Sequence, residues 1–202
     1  MENFVFCSEE EIREYLQNFG AGRDSHDTEL SEGVRLKRLY EVNFKVPFLI
    51  GIPIKQEGLR LLQSKKISKS EALKKFRNED TDVDILIAKA TDLGNARRNG
   101  FDGDAFQMKR LTDRQFNGDF NSSIIEELKK IFAKGYVDST YLSLYIAINL
   151  KPQEHSPNWK SLVDFCAKSK VPFVRIILGP IKDTAGAELL VELYPRLRTV
   201  YV

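Results

Sequence analysis

The chain is short of the residues that build imidazole and thiolate chemistry. It has two histidines, His26 and His155, and two cysteines, Cys7 and Cys166. Neither histidine has a ligand-spaced companion, and the cysteines lie far apart with no CxxC spacing. This argues against a zinc hydrolase and against a Ser-His-Asp triad. The cysteines read as structural thiols of a reducing compartment rather than a disulfide. Any metal here has to be a hard cation held by oxygen ligands. Long apolar runs are missing too: nothing approaches the roughly 20 residues that cross a bilayer, so no membrane partner is expected. The start, MENFVFCSEEE, lacks the basic and apolar segments of a signal peptide, and a cytoplasmic location is the expectation. There is no internal repeat and no low-complexity tract.

What is present is ordinary in bulk and uneven in detail. The 202 residues are 42% hydrophobic and 30% charged, enough for a core without disulfide support. A formal net charge of +2 says little, but its distribution is segregated. Residues 1–33 are acidic, opposed only by Arg13 and Arg23, whereas 60–77, RLLQSKKISKSEALKKFR, sets Lys65, Lys66, Lys69, Lys74 and Lys75 among its basic residues against Glu71 alone. Such a stretch is either a solvated helical surface or a face for a polyanion.

Local patterns predict an α/β fold, a mixed β-sheet flanked by helices. SEEE at 8–11 is a capping box whose helix runs to about Phe19, and SHDTELSEG opens a second helix to roughly Tyr40. FKVPFLIGIPI (44–54) is β-rich, and its two prolines predict an edge strand or an extended segment. The basic stretch reads as two short helices broken near Ile67 and Ser68. TDVDILIAK (81–89) alternates as a strand, a Gly- and Asn-rich loop reverses the chain, and DAFQMKRL (104–111) returns as its partner. There follow a helix opened by Ser122 or Ser123, a buried strand at 141–150, a helix, a strand at 172–179, and a last helix near 184–193. One domain over 1–202 is expected, with 55–78 as a basic helical insertion.

Strand periodicity turns alternate residues to one face. Gln107 and Lys109 therefore share a side, with Phe106 and Met108 toward the core, and Asp82 and Asp84 share a side of the preceding strand. A hairpin would set Asp84, Gln107 and Lys109 on one face. Phosphodiester hydrolysis needs such a set: a carboxylate and further oxygens for Mg²⁺ (or Mn²⁺), and an ammonium for the developing negative charge. Asp84 then holds the metal, Gln107 supplies an amide oxygen, Lys109 is the cation, and the Met108 carbonyl is a natural extra ligand.

TDVDILI, the loop, and DAFQMKRL followed by a helix and an apolar strand resemble the PD-(D/E)XK nuclease superfamily. The likeness is closer to its Mrr-like restriction endonuclease branch, in which glutamine commonly replaces the acid and the strand reads like QxKR. That resemblance covers roughly 80–150 and implies a restriction-endonuclease-like core that cleaves DNA with a divalent metal. Asp84 matches the metal-binding aspartate, Gln107 the Glu/Gln position, Lys109 the lysine and Arg110 a frequent basic neighbour. The family often adds a helix glutamate, for which Glu32 is the candidate, with Glu29 and Glu41 behind it. About forty residues between the 29–40 helix and Asp84 depart from the usual core.

Restriction or repair cleavage of DNA is thus the leading expectation, with Arg97, Arg98, Arg110, Arg114 and the 60–77 lysines on phosphates. Two alternatives stand beside it. One is a nuclease-fold protein that binds nucleic acid without cutting, because Gln107 is neutral. The other is an interaction scaffold with no nucleic-acid role. A cross-strand charge pair between Asp84 and Lys109 would serve either. Two cuts on antiparallel strands would suit a homodimer. Tyr136, Tyr141 and Tyr145 are expected as core or cross-strand residues rather than a base-stacking platform.

Overall fold

Ser8 and Glu11 open the first helix as their spacing predicts. The Ser8 N–H donates to Glu11 Oε2 at 2.8 Å and the Glu11 N–H to Ser8 Oγ at 3.2 Å. This reciprocal cap starts α1 (Glu9–Phe19). The computed structural model describes residues 3–19, 25–90, 103–136, 141–149, 157–182 and 186–201. Over these the fold is α/β: eight strands form one mixed sheet whose neighbours follow chain order, and six helices flank it. The chain divides into two compact units, Met1–Phe106 and Gln107–Val202.

In the first unit, β1 (Asn3–Cys7), β2 (Phe48–Ile54), β3 (Ile85–Lys89) and the start of β4 (Gly103–Thr112) pair antiparallel in sequence. α2 (Ser25–Phe44) covers the face bearing Phe48, Ile50, Ile85 and Phe106. Gly33 permits the close approach, since a Cβ there would meet Ile85 Cδ1 at 3.1 Å. The Tyr40 ring sits 5.3 Å from Phe48 and 6.3 Å from Phe106. Ile50, Ile85 and Phe106 are fully buried, and each such side chain stabilises the fold by roughly 1.5–3 kcal/mol.

The basic stretch forms two helices, α3 (Gln56–Gln63) and α4 (Lys69–Phe76), the second opened by Ser68 and Glu71 in another capping box. The excursion leaves and rejoins the end of β2. Lys55 N–H bonds the Phe76 carbonyl at 2.7 Å, Asn78 N–H bonds the Pro53 carbonyl at 3.0 Å, and Ile54 bridges to Arg77. Gly58 lets the two helices touch, for a Cβ there would lie 2.4 Å from Phe76 Cβ. Gly58→Ala should therefore lose about 1–3 kcal/mol of stability by overpacking. A urea-unfolding midpoint equal to wild type would show that α3 and α4 part freely.

A charge cluster ties α1 to α2. Glu9 accepts from Arg13 Nε at 2.9 Å and from Arg38 Nε at 3.2 Å, with Lys37 Nζ at 3.9 Å. The Arg38 hydrogen bonds, seconded by Arg13, hold the Glu9 carboxyl down from 4.5 to about 2. A lowered carboxyl stabilises the folded state above its ordinary value and loses that contribution as pH falls toward the folded value. With both arginines half-exposed, screening leaves about 1–2 kcal/mol. Chemical denaturation between pH 4.5 and 2 should show this loss, and Glu9→Gln should flatten that part of the profile. An unflattened profile assigns the acid sensitivity elsewhere.

In the second unit, the rest of β4 leads to α5 (Phe120–Phe132), β5 (Leu142–Asn149), α6 (Trp159–Lys168), β6 (Arg175–Lys182), β7 (Glu188–Tyr194) and β8 (Arg198–Tyr201). β5 and β6 are parallel, joined through α6; β6, β7 and β8 are antiparallel. Asn121 holds α5 to the start of α6, donating to the Asn158 carbonyl at 2.7 Å and accepting its N–H at 3.1 Å. Phe132 stacks on Phe165 at 6.2 Å.

Four expectations are corrected, and one strand is added. β1 had no counterpart in the patterns read from the sequence. β2 is an interior strand between β1 and β3, not an edge. Pro53 is tolerated because its carbonyl, and hence its missing N–H, faces Asn78 beyond the Phe48–Gly51 ladder with β3. β3 begins at Ile85, so Asp82 and Asp84 precede the strand and share no strand face. The helix expected near 184–193 is strand β7, whose Leu189, Leu190, Val191 and Leu193 are all buried. Burial on both faces erases the alternation that marks a strand. α5 is capped by Asp119, which accepts the Ser122 N–H at 2.7 Å; Ser123 is buried inside the helix instead.

Candidate functional site

β4 carries the residues that the sequence singles out, and each unit holds part of it. In the first unit, Asp104 lies opposite Ile87 and Phe106 opposite Ile85. The Tyr40 hydroxyl donates to Asp104 Oδ2, a bond across from α2 that no motif announces. Asp84 is half-buried in the bend before β3, and its N–H donates to the Phe106 carbonyl at 2.8 Å. The aspartate backbone is thereby fixed to the residue just before Gln107.

In the second unit, the alternation expected along DAFQMKRL is only partly kept. Met108 is buried, as expected, but so is Gln107, only 6% exposed. Leu111, two pleats from Gln107 on the same side, is fully buried. Lys109 and Arg110 are half-buried. Both faces of this strand are therefore covered, and Gln107 is a buried amide rather than a solvated one. A neutral amide costs less to bury than a carboxylate would.

The helix glutamates are engaged. Glu32 pairs with Arg35 at 2.6 Å and Glu29 with Arg77 at 2.7 Å. Glu41 takes Lys37 at 2.8 Å and the Phe48 N–H at 3.0 Å. Each has a basic partner within the first unit. Among the described residues, no three His, Cys, Asp or Glu side chains gather as a metal site. The donors proposed from sequence are all oxygen, from Asp84, Gln107 and the Met108 carbonyl. That chemistry fits a hard cation, with one formal negative charge among the three.

The basic stretch divides into engaged and free groups. Lys69 Nζ donates to the Phe6 carbonyl at 2.8 Å and to both Glu11 oxygens at 2.8 and 3.0 Å. Lys74 Nζ lies 4.6 Å from the Phe19 ring centroid. Lys75 lies one turn from Glu71, whose carboxyl is lowered chiefly by the Ser68 backbone N–H. Lys65 and Lys66 are exposed at the turn after α3. Arg97 and Arg98 lie outside the described residues, as do His155 and the side chain of His26.

Cys7 and Cys166 are free and buried, and burial pushes their thiols up to about 12 and about 11. Thiols so raised are poor nucleophiles. Tyr145 is core, its hydroxyl on the Gly179 carbonyl at 2.8 Å, and Tyr136 packs on Phe173 at 4.9 Å. Tyr141 alone of the three is well exposed, so they form no stacking platform. A cavity of about 400 Å³ between α5 and α6, floored by Ile125 and Phe165, holds none of the expected residues.

Lys45 and Lys65 are backbone outliers that no motif announces. Their φ angles are 57° and 56°, in the left-handed region. The only sequence hint was that each follows a helical pattern that lacks a terminal glycine.

Neither a protein-family model, nor a curated protein, nor a solved structure matches the chain.

Proposed function

We propose that the chain is a Mg²⁺-dependent endonuclease acting on DNA, of restriction or repair type, built around Asp84, Gln107 and Lys109. The observation that carries this reading is the bond from the Asp84 N–H to the Phe106 carbonyl. It anchors the aspartate on the strand that continues directly into Gln107 and Lys109. The element order supports it as well: a helix, three antiparallel strands with α3 and α4 inserted after the first, Asp84 before the second and the lysine on the third, then a helix and a strand.

A bound divalent ion would supply Lewis-acid activation of the phosphoryl group and an acidified water. Asp84, Gln107 and the Met108 carbonyl are the residues to hold it. Lys109 stabilises negative charge on the phosphate as it develops. Arg110, Arg97, Arg98 and the exposed lysines of the basic stretch position the duplex through its backbone. A cytoplasmic location and a homodimer belong to the same proposal.

The test is incubation with plasmid and linear DNA, with and without Mg²⁺ or Mn²⁺. Metal-dependent nicking or linearisation is the expected result. A second reading, DNA binding without cleavage, is favoured by the neutral, buried Gln107 and by the absence of a three-acid cluster among the described residues. It predicts a gel shift indifferent to metal and no cutting. A chain that neither cuts nor shifts DNA would leave the scaffold alternative.

A further inference from the structure

The turn between α3 and α4 has the hydrogen bonds of a Schellman ending. Lys65 N–H reaches the Leu62 carbonyl at 3.0 Å and Lys66 N–H the Leu61 carbonyl at 2.9 Å. This ending places its penultimate residue in the left-handed region, where glycine is normally used because a Cβ is strained there. The sequence puts a lysine at that point, φ 56°. It follows with a second lysine, and both side chains are exposed with no partner among the described residues.

The other lysines of the stretch are differently placed. The ammonium of Lys69 has three donors, and all three find acceptors, on Phe6 and Glu11. Phe6 belongs to β1, so Lys69 also covers a carbonyl on the outer edge of the sheet. Lys74 is held over Phe19, and Lys75 lies in the field of Glu71. Charge alone would rank these lysines as equals; their contacts do not.

Resting on the reading that the chain binds DNA, we infer that Lys65 and Lys66 make the phosphate contact of the basic stretch, while Glu11 and Phe6 withhold Lys69 from it. Backbone strain of this kind clusters at binding and switch sites, and at Lys65 it comes with an exposed charge beside a second one. The ordinary alternative is that Lys65 merely complements the negative end of the α3 dipole. Lys45 separates the two. It has the same left-handed backbone at the end of α2, stands outside the basic stretch, and has no lysine beside it.

The experiment measures the affinity of the full chain for a fluorescent duplex across a salt series, with thermal melts of each protein. Lys65→Gly should raise Tm by roughly 2–4 °C as strain is relieved. It should also lower the slope of log K against log salt by about 1, the loss of one phosphate contact. Lys66→Ala should lower the slope equally. Lys45→Gly should raise Tm with the slope unchanged, and Lys69→Met should leave the slope at the wild-type value. Unchanged slopes in Lys65→Gly and Lys66→Ala, with wild type binding normally, would overturn the inference and leave the DNA reading intact. A slope lowered in Lys69→Met would overturn it as well. Wild type that binds no duplex at all removes both.

Discussion

Asp84→Ala and Lys109→Ala should each abolish metal-dependent cleavage while leaving duplex affinity within a few-fold of wild type. On the proposed reading, removing the carboxylate takes away the one formal charge among the proposed metal donors, and a loss of about 10³ or more is expected. On the same reading, removing the ammonium deletes one charge that stabilises the phosphate, and a loss of about 10²–10³ is expected. Asp84→Asn serves beside the alanine variant. It keeps the side-chain volume and leaves untouched the backbone bond to Phe106, so a loss in both variants is chemical rather than structural. Substrate is plasmid DNA, and the readout is the initial rate of nicking. Cleavage that survives both Asp84→Ala and Lys109→Ala would sink the site assignment. Metal-dependent cleavage lost in Asp84→Asn and retained in Lys109→Ala would place the cation at Asp84 and the charge stabilisation elsewhere.

The elements legible in the sequence were those fixed by short-range chemistry. Ser8 with Glu11, and Ser68 with Glu71, wrote their helix starts into spacings of three residues, and both reciprocal caps are present. The break of the basic stretch at Ile67 and Ser68 was legible for the same reason. What escaped was set by burial. β7 is apolar on both faces, so it does not display the alternation by which a strand is recognised. The run AELLVEL is rich in helix formers, and sheet neighbours on both edges override that preference. Pro53 misled because a missing donor matters only on the side where a ladder runs, and spacing does not reveal sides.

The candidate site was legible to a similar depth. That Gln107 and Lys109 share a strand followed from period two. That Gln107 is buried did not, because it depends on what covers the second face. Nor did the partners of the charges. Glu29, Glu32 and Glu41 are alike in sequence as spare acids near a proposed cation, yet each is held by a basic neighbour. Lys65 and Lys69 are likewise equal in composition and unequal in contact.

The burial of Gln107 leads to the second large effect. Gln107→Glu exchanges an amide for a carboxylate of the same shape at a position only 6% exposed. Without a cation, burial raises the pKa of the new carboxyl above its ordinary value of about 4.3. The folded state then holds its proton more tightly than the unfolded one. Stability of the variant therefore falls as pH rises from that ordinary value through the raised one, the opposite sign to Glu9. A displacement of roughly two pH units amounts to about 3 kcal/mol lost by pH 8. A cation held with Asp84 reverses this, since a carboxylate beside it is favoured in the ionised form. Millimolar Mg²⁺ should then restore most of the lost Tm at pH 8 and little at pH 4, where the proton competes with the cation for the carboxyl. Asp84→Asn in the same background should abolish the restoration. Thermal melts read this without any dependence on cleavage, so they test the cation site even in a chain that only binds. If Mg²⁺ leaves Gln107→Glu as unstable as before, Gln107 stands at no cation site, and its amide is in the fold only because a charge there would be intolerable.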